Sequence, residues 1–271
     1  MKIEPPYPDY PFFRNGFGKD IVRDCIDLSI LAYSDLRSLE FQECSLKSMS
    51  NDQVSLVDKV LDWRSKGVQI RWLVEGDLQV LVAFAPHCPI IVAFRGTVNL
   101  VNWLRDFDCR LNSEGFHEGF WKAVGVFTPG LMAALEMTRE NPYSDGPNPK
   151  EIIFTGHSLG AALAAAAAFR MVPCCNIKQA ITFGQPRIGS SNAIENPKFQ
   201  WTRYVHGDDM VVKVPLEKTH GFWYSTKYTH RGEQIDLARV PSPLLNREFP
   251  FWFPQKIRDH VPTLYAESIW R

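Results

Sequence analysis

A short apolar segment that breaks at a glycine into an alanine-rich segment constrains the fold of this chain more than any other feature. Residues 151–163 read Glu-Ile-Ile-Phe-Thr-Gly-His-Ser-Leu-Gly-Ala-Ala-Leu. The Ile-Ile-Phe run is typical of a buried strand, and the alanines that follow are strong helix formers. The Gly-x-Ser-x-Gly turn between them needs its glycines because a strained strand-to-helix turn leaves almost no room for side chains. The pattern therefore predicts a strand, a tight turn and a helix, with Ser158 presented to solvent as a nucleophile.

Strand-like and helix-like segments alternate along the rest of the chain. The periodicities predict helices over 19–36, 51–63 and 121–138, and strands over 69–84 (as a hairpin), 89–94, 179–183 and 201–205. Repeated strand, helix and strand imply an α/β fold with a mostly parallel sheet and helices on both faces, to which the hairpin adds an antiparallel edge. Because no repeat or low-complexity linker divides the sequence, we expect one domain over 1–271, with 1–65 as N-terminal helical packing.

Composition excludes several classes of function. Hydrophobic residues make up 45% of the chain, which is enough for a sizeable core. Lys plus Arg and Asp plus Glu both count 30, so no basic surface argues for nucleic acid as a partner. The longest apolar stretch, 161–172, contains Arg170 and is too short to cross a bilayer, so we expect no transmembrane segment.

The N-terminus and the cysteines bear on the compartment. Residues 1–8 lack the apolar core of a secretory signal, which favours a cytoplasmic protein, or a secreted one if a signal was removed or a non-classical route is used. The spacing of the six cysteines matches neither a zinc site nor a small disulfide framework. We therefore expect no metal and mostly free, buried thiols, as in a reducing compartment.

A glycine and an apolar segment follow the strand predicted over 89–94. Gly96 lies at the carboxyl end of that strand, where backbone amides can be turned toward a ligand. Residues 98–110 come next, and we expect them to form a short helical lid over the serine. The lid would carry one apolar stripe, which consists of Leu100, Trp103, Leu104 and Phe107.

A serine on such a turn needs a base to accept its proton and an acid to orient that base. In hydrolases with this turn the order along the chain is serine, acid, histidine. Three histidines lie late enough in the chain to be the base: His220, His230 and His260. We expect His157 to point away within the turn, and His206, just before the candidate acids, to be a local structural partner.

Five blocks in order carry a resemblance to a known family. They are Val-Ala-Phe-Arg-Gly-Thr with Asn-Trp-Leu (92–104), Phe-His-Glu-Gly-Phe (116–120), Thr-Gly-His-Ser-Leu-Gly (155–160), Thr-Phe-Gly-Gln-Pro-Arg-Ile-Gly (182–189) and Val-His-Gly-Asp-Asp-Met-Val-Val-Lys-Val-Pro (205–215). With these blocks the sequence resembles the class 3, fungal-type triacylglycerol lipase family from about Val80 to the C-terminus. The resemblance implies an α/β-hydrolase fold.

The resemblance also implies a catalytic triad. Ser158 would be the nucleophile, Asp209 the acid, and His260, which follows Asp259, the base. Members of the family usually have Asn-Asp at the acid, whereas this chain has Asp208-Asp209, and Asp209 holds the matching position.

Further roles follow from the same resemblance. His230 lies in a structural stretch before a late strand. The backbone amides of Leu159 and Thr97 would form the oxyanion hole, with the Thr97 hydroxyl as a third donor. No cofactor is required by this chemistry.

The implied activity is that of a serine carboxylester hydrolase, a lipase that cleaves acylglycerol esters and contacts a lipid interface transiently through its lid. A phospholipase A1 or a feruloyl-type esterase would use the same triad. The alternative without enzymatic activity is a binding module on a hydrolase scaffold.

Overall fold

A seven-stranded, mostly parallel sheet forms the centre of the protein. The computed structural model describes residues 10–34, 51–105, 108–139, 150–220, 225–240 and 254–271. The strands are β1 (Gln69–Glu75), β2 (Leu78–Phe84), β3 (Ile90–Phe94), β4 (Ile152–His157), β5 (Ile177–Phe183), β6 (Gln200–His206), β7 (Lys218–His220), β8 (Ser225–Lys227) and β9 (Glu233–Leu237). The central sheet has the order β1-β2-β3-β4-β5-β6-β9, with β1 to β3 antiparallel and β3 to β9 parallel, and β7 and β8 pair separately.

Helices cover both faces of this sheet. They are α1 (Ile21–Leu31), α2 (Asn51–Ser65), α3 (Leu100–Arg105), α4 (Glu118–Arg139), α5 (Leu159–Met171), α6 (Gln255–Arg258) and α7 (Pro262–Trp270). Side chains of α4 and α5 form one buried cluster with one face of the strands, and side chains of α1, α2 and α7 form a second cluster with the other face. In the part of the chain that the structure describes, no helix is both long and apolar enough to cross a membrane.

The mostly parallel sheet and the helices on both faces confirm the fold class predicted from the sequence. The hairpin predicted over 69–84 is β1 and β2, joined at Gly76. The strand before the serine continues to His157, three residues beyond its apolar run, because parallel pairing with β5 continues to Phe183. β7 and β8 were not predicted. β9 (Glu-Gln-Ile-Asp-Leu) is the late strand that the resemblance implies after His230, but its half-exposed edge position gives it too weak an apolar pattern to be predicted from periodicity.

The glycines of the serine turn allow two backbones to meet. A Cβ on Gly160 would lie 2.1 Å from the carbonyl oxygen of Phe94, at the end of β3, and a Cβ on Gly156 would lie 2.4 Å from the Gly160 backbone. The start of α5 therefore packs directly on the end of β3. Since Phe94 pairs with Gly156, the turn that follows β3 lies beside Ser158.

We expect Gly160→Ala to lower the free energy of unfolding by about 3 kcal/mol, because the added methyl meets a backbone oxygen that cannot rotate away. Gly130→Ala is the matched control. Gly130 also lies in a helix, but a Cβ there would meet no atom within 4 Å, and the gain in helix propensity should stabilise the protein by about 0.5–1 kcal/mol. Urea denaturation of both variants measures the difference, and equal stabilities would contradict the close packing.

Candidate active site

Ser158 lies in a strained turn between β4 and α5. Its φ of 61° and ψ of −129° fall in a backbone region that residues other than glycine rarely adopt. The Ser158 amide donates to the Phe183 carbonyl at 3.0 Å, and its carbonyl accepts from Ala161 and Ala162 in the first turn of α5. Neighbouring backbone therefore holds the strained conformation, as expected for a nucleophile on a strand-to-helix turn.

The serine is not presented to solvent, which corrects the prediction from the sequence. Ser158 is only 2% exposed. The sequence pattern describes the turn alone, whereas burial results from chain segments distant in sequence that surround it. Substrate can reach the hydroxyl only if some of that cover moves.

Asp209 and His260 form a buried pair at the same end of the sheet. Asp209 follows β6 and His260 follows α6, and the His260 Nδ1 lies 2.6 Å from the Asp209 Oδ2. The same oxygen accepts from the hydroxyl of Tyr265 at 2.5 Å, and Oδ1 accepts from the Val211 amide at 2.8 Å. Since the carboxylate can only accept, Nδ1 carries the proton, and Nε2 of His260 is left as a base.

A glycine makes room for this pair. Gly184 follows β5 with a φ of +60°, and a Cβ there would lie 2.9 Å from both the Asp209 carboxylate and the His260 ring. A side chain at this position would separate the two groups.

Two buried polar atoms at this site have no hydrogen-bond partner among the described residues. One is the hydroxyl oxygen of Ser158, and the other is Nε2 of His260. Burying a polar group without a partner costs about 1–3 kcal/mol, so such atoms call for a functional explanation. The Ser158 hydroxyl can lose a proton, and Nε2 of His260 can accept one.

Asp208, the alternative acid, lies apart from the histidine. Its carboxylate is 60% exposed and pairs with Arg239 at 2.9 Å. The same guanidinium binds the fully buried carboxylate of Asp259 at 2.6 Å, and Asp259 also accepts from the Asp208 amide and the Gln255 side chain. Arg239 and Asp259 thus connect the loop that carries Asp209 with the loop that carries His260.

His157 has a structural role that the sequence analysis missed. Its ring is buried, with Nε2 2.7 Å from the carbonyl oxygen of His260 and Nδ1 2.9 Å from the hydroxyl of Tyr33. Because the carbonyl can only accept, Nε2 donates to it and Nδ1 accepts from Tyr33. Burial is the main cause that lowers the pKa of His157 well below its usual value, so the ring stays neutral. The residue next to the serine therefore fixes the backbone of His260.

The other late histidines contact backbone carbonyls or lie elsewhere. Nε2 of His230 is 2.6 Å from the Val212 carbonyl, and burial lowers the pKa of His230 to about 3. Nδ1 of His206 lies 3.1 Å from the Asp259 carbonyl. His220 belongs to β7, in the separate hairpin.

The candidate oxyanion donors lie at the meeting point of β3 and α5. Thr97 follows Gly96, and a Cβ on Gly96 would lie 2.6 Å from the His157 carbonyl and 2.0 Å from the Tyr33 hydroxyl. The Thr97 hydroxyl oxygen accepts from the Asn99 amide at 3.1 Å, which leaves its proton available. Leu159 is the first residue of α5, where backbone amides lack helical partners.

Three of the four predicted lid residues lie in α3. Leu100 is buried, and Trp103, which is half-buried, packs against the cluster formed by α4 and α5. Leu104 is also half-buried, and Phe107 lies outside the described residues.

No group of three or more His, Cys, Asp or Glu side chains in the described ranges could hold a metal ion. Of the five described cysteines, only Cys25 is buried. The expectation of mostly buried thiols is therefore wrong, since the other four lie at segment ends near the surface.

We expect Asp259→Asn to lower the free energy of unfolding by about 2 kcal/mol, because it weakens the charge-assisted hydrogen bonds that the buried carboxylate accepts from Arg239. Asp208→Asn, which weakens an exposed pair with the same Arg239, should change it by at most about 0.5 kcal/mol. Burial raises the pKa of Asp259, but bonds from Arg239, Gln255 and the Asp208 amide outweigh this and lower the pKa below its ordinary value.

A carboxyl group with a lowered folded pKa stabilises the protein above its unfolded pKa and loses that contribution as the pH falls through the folded value. The difference between wild type and Asp259→Asn should therefore shrink in acid. Urea denaturation at pH 7 and pH 3 measures it, and equal effects of the two substitutions would contradict the assigned burial.

Known proteins resemble this chain in sequence and in structure. Residues 91–219 match the family model for lipase (class 3). The chain is 30% identical over 204 residues to the chloroplastic phospholipase A(1) DAD1 of Arabidopsis thaliana, which covers 66% of this chain and 41% of that protein. It is 31% identical over 136 residues to secreted mono- and diacylglycerol lipase 1 of Fusarium solani, which covers 46% of this chain and 39% of that protein. The chain thus spans about two fifths of the length of these relatives. Their names do not support a cytoplasmic location.

Solved structures share the fold. MDLA from Penicillium cyclopium superposes with a TM-score of 0.58 at 19% identity, over 82% of this chain and 80% of that one. The mono- and diacylglycerol lipase of Aspergillus oryzae gives a TM-score of 0.53 at 22% identity, over 72% of this chain and 73% of that one. These similarities confirm the predicted α/β-hydrolase fold. This fold and the match over residues 91–219 support membership of the class 3 lipase family.

Proposed function

We propose that this protein is a serine carboxylester hydrolase, a lipase that cleaves acylglycerol esters through an acyl-enzyme on Ser158. One observation carries the proposal. Asp209 fixes the imidazole of His260 at Nδ1, while Nε2 and the Ser158 hydroxyl, both buried at the same end of the sheet, have no hydrogen-bond partner among the described residues. A nucleophile, a base and an orienting acid are the groups that acyl transfer requires.

The reaction would proceed in two halves. Ser158 forms a bond to the ester carbonyl carbon and gives its proton to Nε2 of His260. The tetrahedral intermediate expels the alcohol, which takes that proton. Water then attacks the acyl-enzyme, His260 accepts a proton from the water, and the acid leaves as Ser158 is reprotonated. Asp209 keeps the proton on Nδ1 and stabilises the imidazolium, and the amides of Leu159 and Thr97 bind the oxyanion.

The relatives support glycerol esters as the substrate class. The fungal relative is named a mono- and diacylglycerol lipase. Phospholipase A1 activity is the second candidate, because the relative that matches the larger part of this chain is named a phospholipase A(1). A binding module on this scaffold would be expected to lack at least one residue of the proposed triad, whereas this chain has Ser158, Asp209 and His260.

The burial of Ser158 supports a moving cover, for which we propose segment 98–110 with the apolar face of α3. The short α3 follows the turn that carries Thr97, so its displacement would open the region beside the serine. A lipid surface would receive the apolar side chains of α3 as they leave the protein, and this would make contact with the interface transient.

We expect Ser158→Ala and Asp209→Asn to lower kcat on ester substrates by about 10⁴-fold or more, because each removes a group that acts in the transition state. Asp208→Asn is the matched control. It changes the neighbouring carboxylate, which faces Arg239, and should change kcat less than about tenfold. Steady-state kinetics on p-nitrophenyl esters measures all three. A larger loss in Asp208→Asn than in Asp209→Asn would reverse the assignment of the acid.

We expect hydrolysis rates to rise when the ester concentration passes the aggregation point, because the lid opens on a lipid surface. The rates are measured on a panel of substrates: p-nitrophenyl esters of graded chain length, diacylglycerol, triacylglycerol and phosphatidylcholine. Each substrate is presented as monomer and as emulsion or vesicle where it can be prepared. Equal activity per accessible substrate in both states would contradict the proposed lid but not the proposed esterase activity. Preferred cleavage of phosphatidylcholine at the first position would favour the phospholipase A1.

A further inference from the structure

Two sulfur–sulfur contacts share Cys175 at the end of α5, the helix that begins after Ser158. Adjacent Cys174 and Cys175 follow α5, and their Sγ atoms lie 3.9 Å apart. Sγ of Cys175 lies 3.5 Å from Sδ of Met132, which belongs to the neighbouring helix α4. None of these residues has a part in ester hydrolysis, since the opposite end of α5 carries the serine.

The backbone holds the two thiols together. The amides of Cys174 and Cys175 both donate to the carbonyl of Met171, at 3.0 and 2.9 Å, and the Cys174 thiol donates to the same oxygen at 3.2 Å. Neighbouring residues in an extended chain would direct their side chains to opposite sides. This turn instead brings the two sulfur atoms within 3.9 Å of each other, with the Cys175 sulfur next to Met132.

The spacing of the sulfur atoms suits a single metal ion. Three or four ligands around an ion at about 2.3 Å, a typical metal–thiolate distance, stand about 3.8–4.0 Å apart. The two contacts that Cys175 makes, at 3.9 and 3.5 Å, lie close to this spacing. Cys174 is exposed, so an ion can reach the thiols from solvent.

The ligand types select the ion. Two thiolates and a thioether form a soft set. Thiolates bind both Cu(I) and zinc, but zinc sites are completed by Cys, His or carboxylate ligands, whereas the thioether of Met favours Cu(I). We propose that Cys174, Cys175 and Met132 form a binding site for one Cu(I) ion or a similar soft monovalent cation. Binding replaces two S–H protons by two S–Cu bonds, releases two protons and changes no oxidation state.

The site joins α4 to α5. An ion bound there would link the two helices, and it would lie about 20 Å from Ser158 along the 13 residues of α5, at about 1.5 Å per residue. We therefore expect the metal to raise the melting temperature with little effect on ester hydrolysis, because it binds only the folded state.

Competition against a coloured Cu(I) chelator under anaerobic, reducing conditions tests the site. The wild type should take up one Cu(I) and melt several degrees higher with it. Cys174→Ser and Cys175→Ser should each weaken binding by about 100-fold or more, and Met132→Leu by about tenfold. Zn(II) should bind far more weakly, and Met132→Leu should not change its affinity.

A variant with Cys44, Cys88 and Cys109 changed to serine is the matched control, and it should keep the full affinity. Uptake that persists in the double variant Cys174→Ser/Cys175→Ser, or that is lost in the control, would place the copper elsewhere and overturn the proposal. Zinc binding as tight as Cu(I) binding would overturn the role of Met132. The three site variants should hydrolyse esters like the wild type, so these outcomes are independent of the proposed catalytic function.

Discussion

The close approach of two backbones at the serine turn is the constraint on which the rest of the site depends. Gly160 allows α5 to touch the end of β3, and Gly96 allows the turn after β3 to touch the carbonyl of His157. Because both contacts are made by main chain, the position of Ser158 relative to Thr97 is set by the sheet and does not depend on flexible side chains. The strained dihedral angles of Ser158 are held by its backbone hydrogen bonds to Phe183, Ala161 and Ala162.

His260 is positioned by three separate parts of the chain. Asp209 binds its ring, His157 binds its carbonyl, and Arg239 binds Asp259, the residue before it. A base that must alternate between accepting and donating a proton benefits from such support, since a small displacement in an active site can cost much of the rate. The buried partners cost desolvation, which the hydrogen bonds offset.

Much of the fold followed from local patterns. The strand and helix on either side of Ser158, the hairpin at Gly76 and the mostly parallel sheet are set by periodicity and turn residues that act over a few positions. The edge strand β9 was expected only from the family resemblance, because a strand with one neighbour has little apolar pattern. The burial of Ser158 was also not predicted, since local sequence does not reveal which distant segments will cover a turn.

The sequence by itself determined the serine turn, the order of the candidate groups and, through resemblance, the preference for Asp209 and His260. It could do so because glycine spacing and strand-to-helix transitions are local. Only the tertiary structure decided that Asp209 faces His260 while Asp208 faces Arg239, that His157 binds the backbone of His260, and that Met132 lies beside Cys175. These pairs are separated by 31 to 103 positions in the chain, and packing of the whole sheet is what brings them into contact.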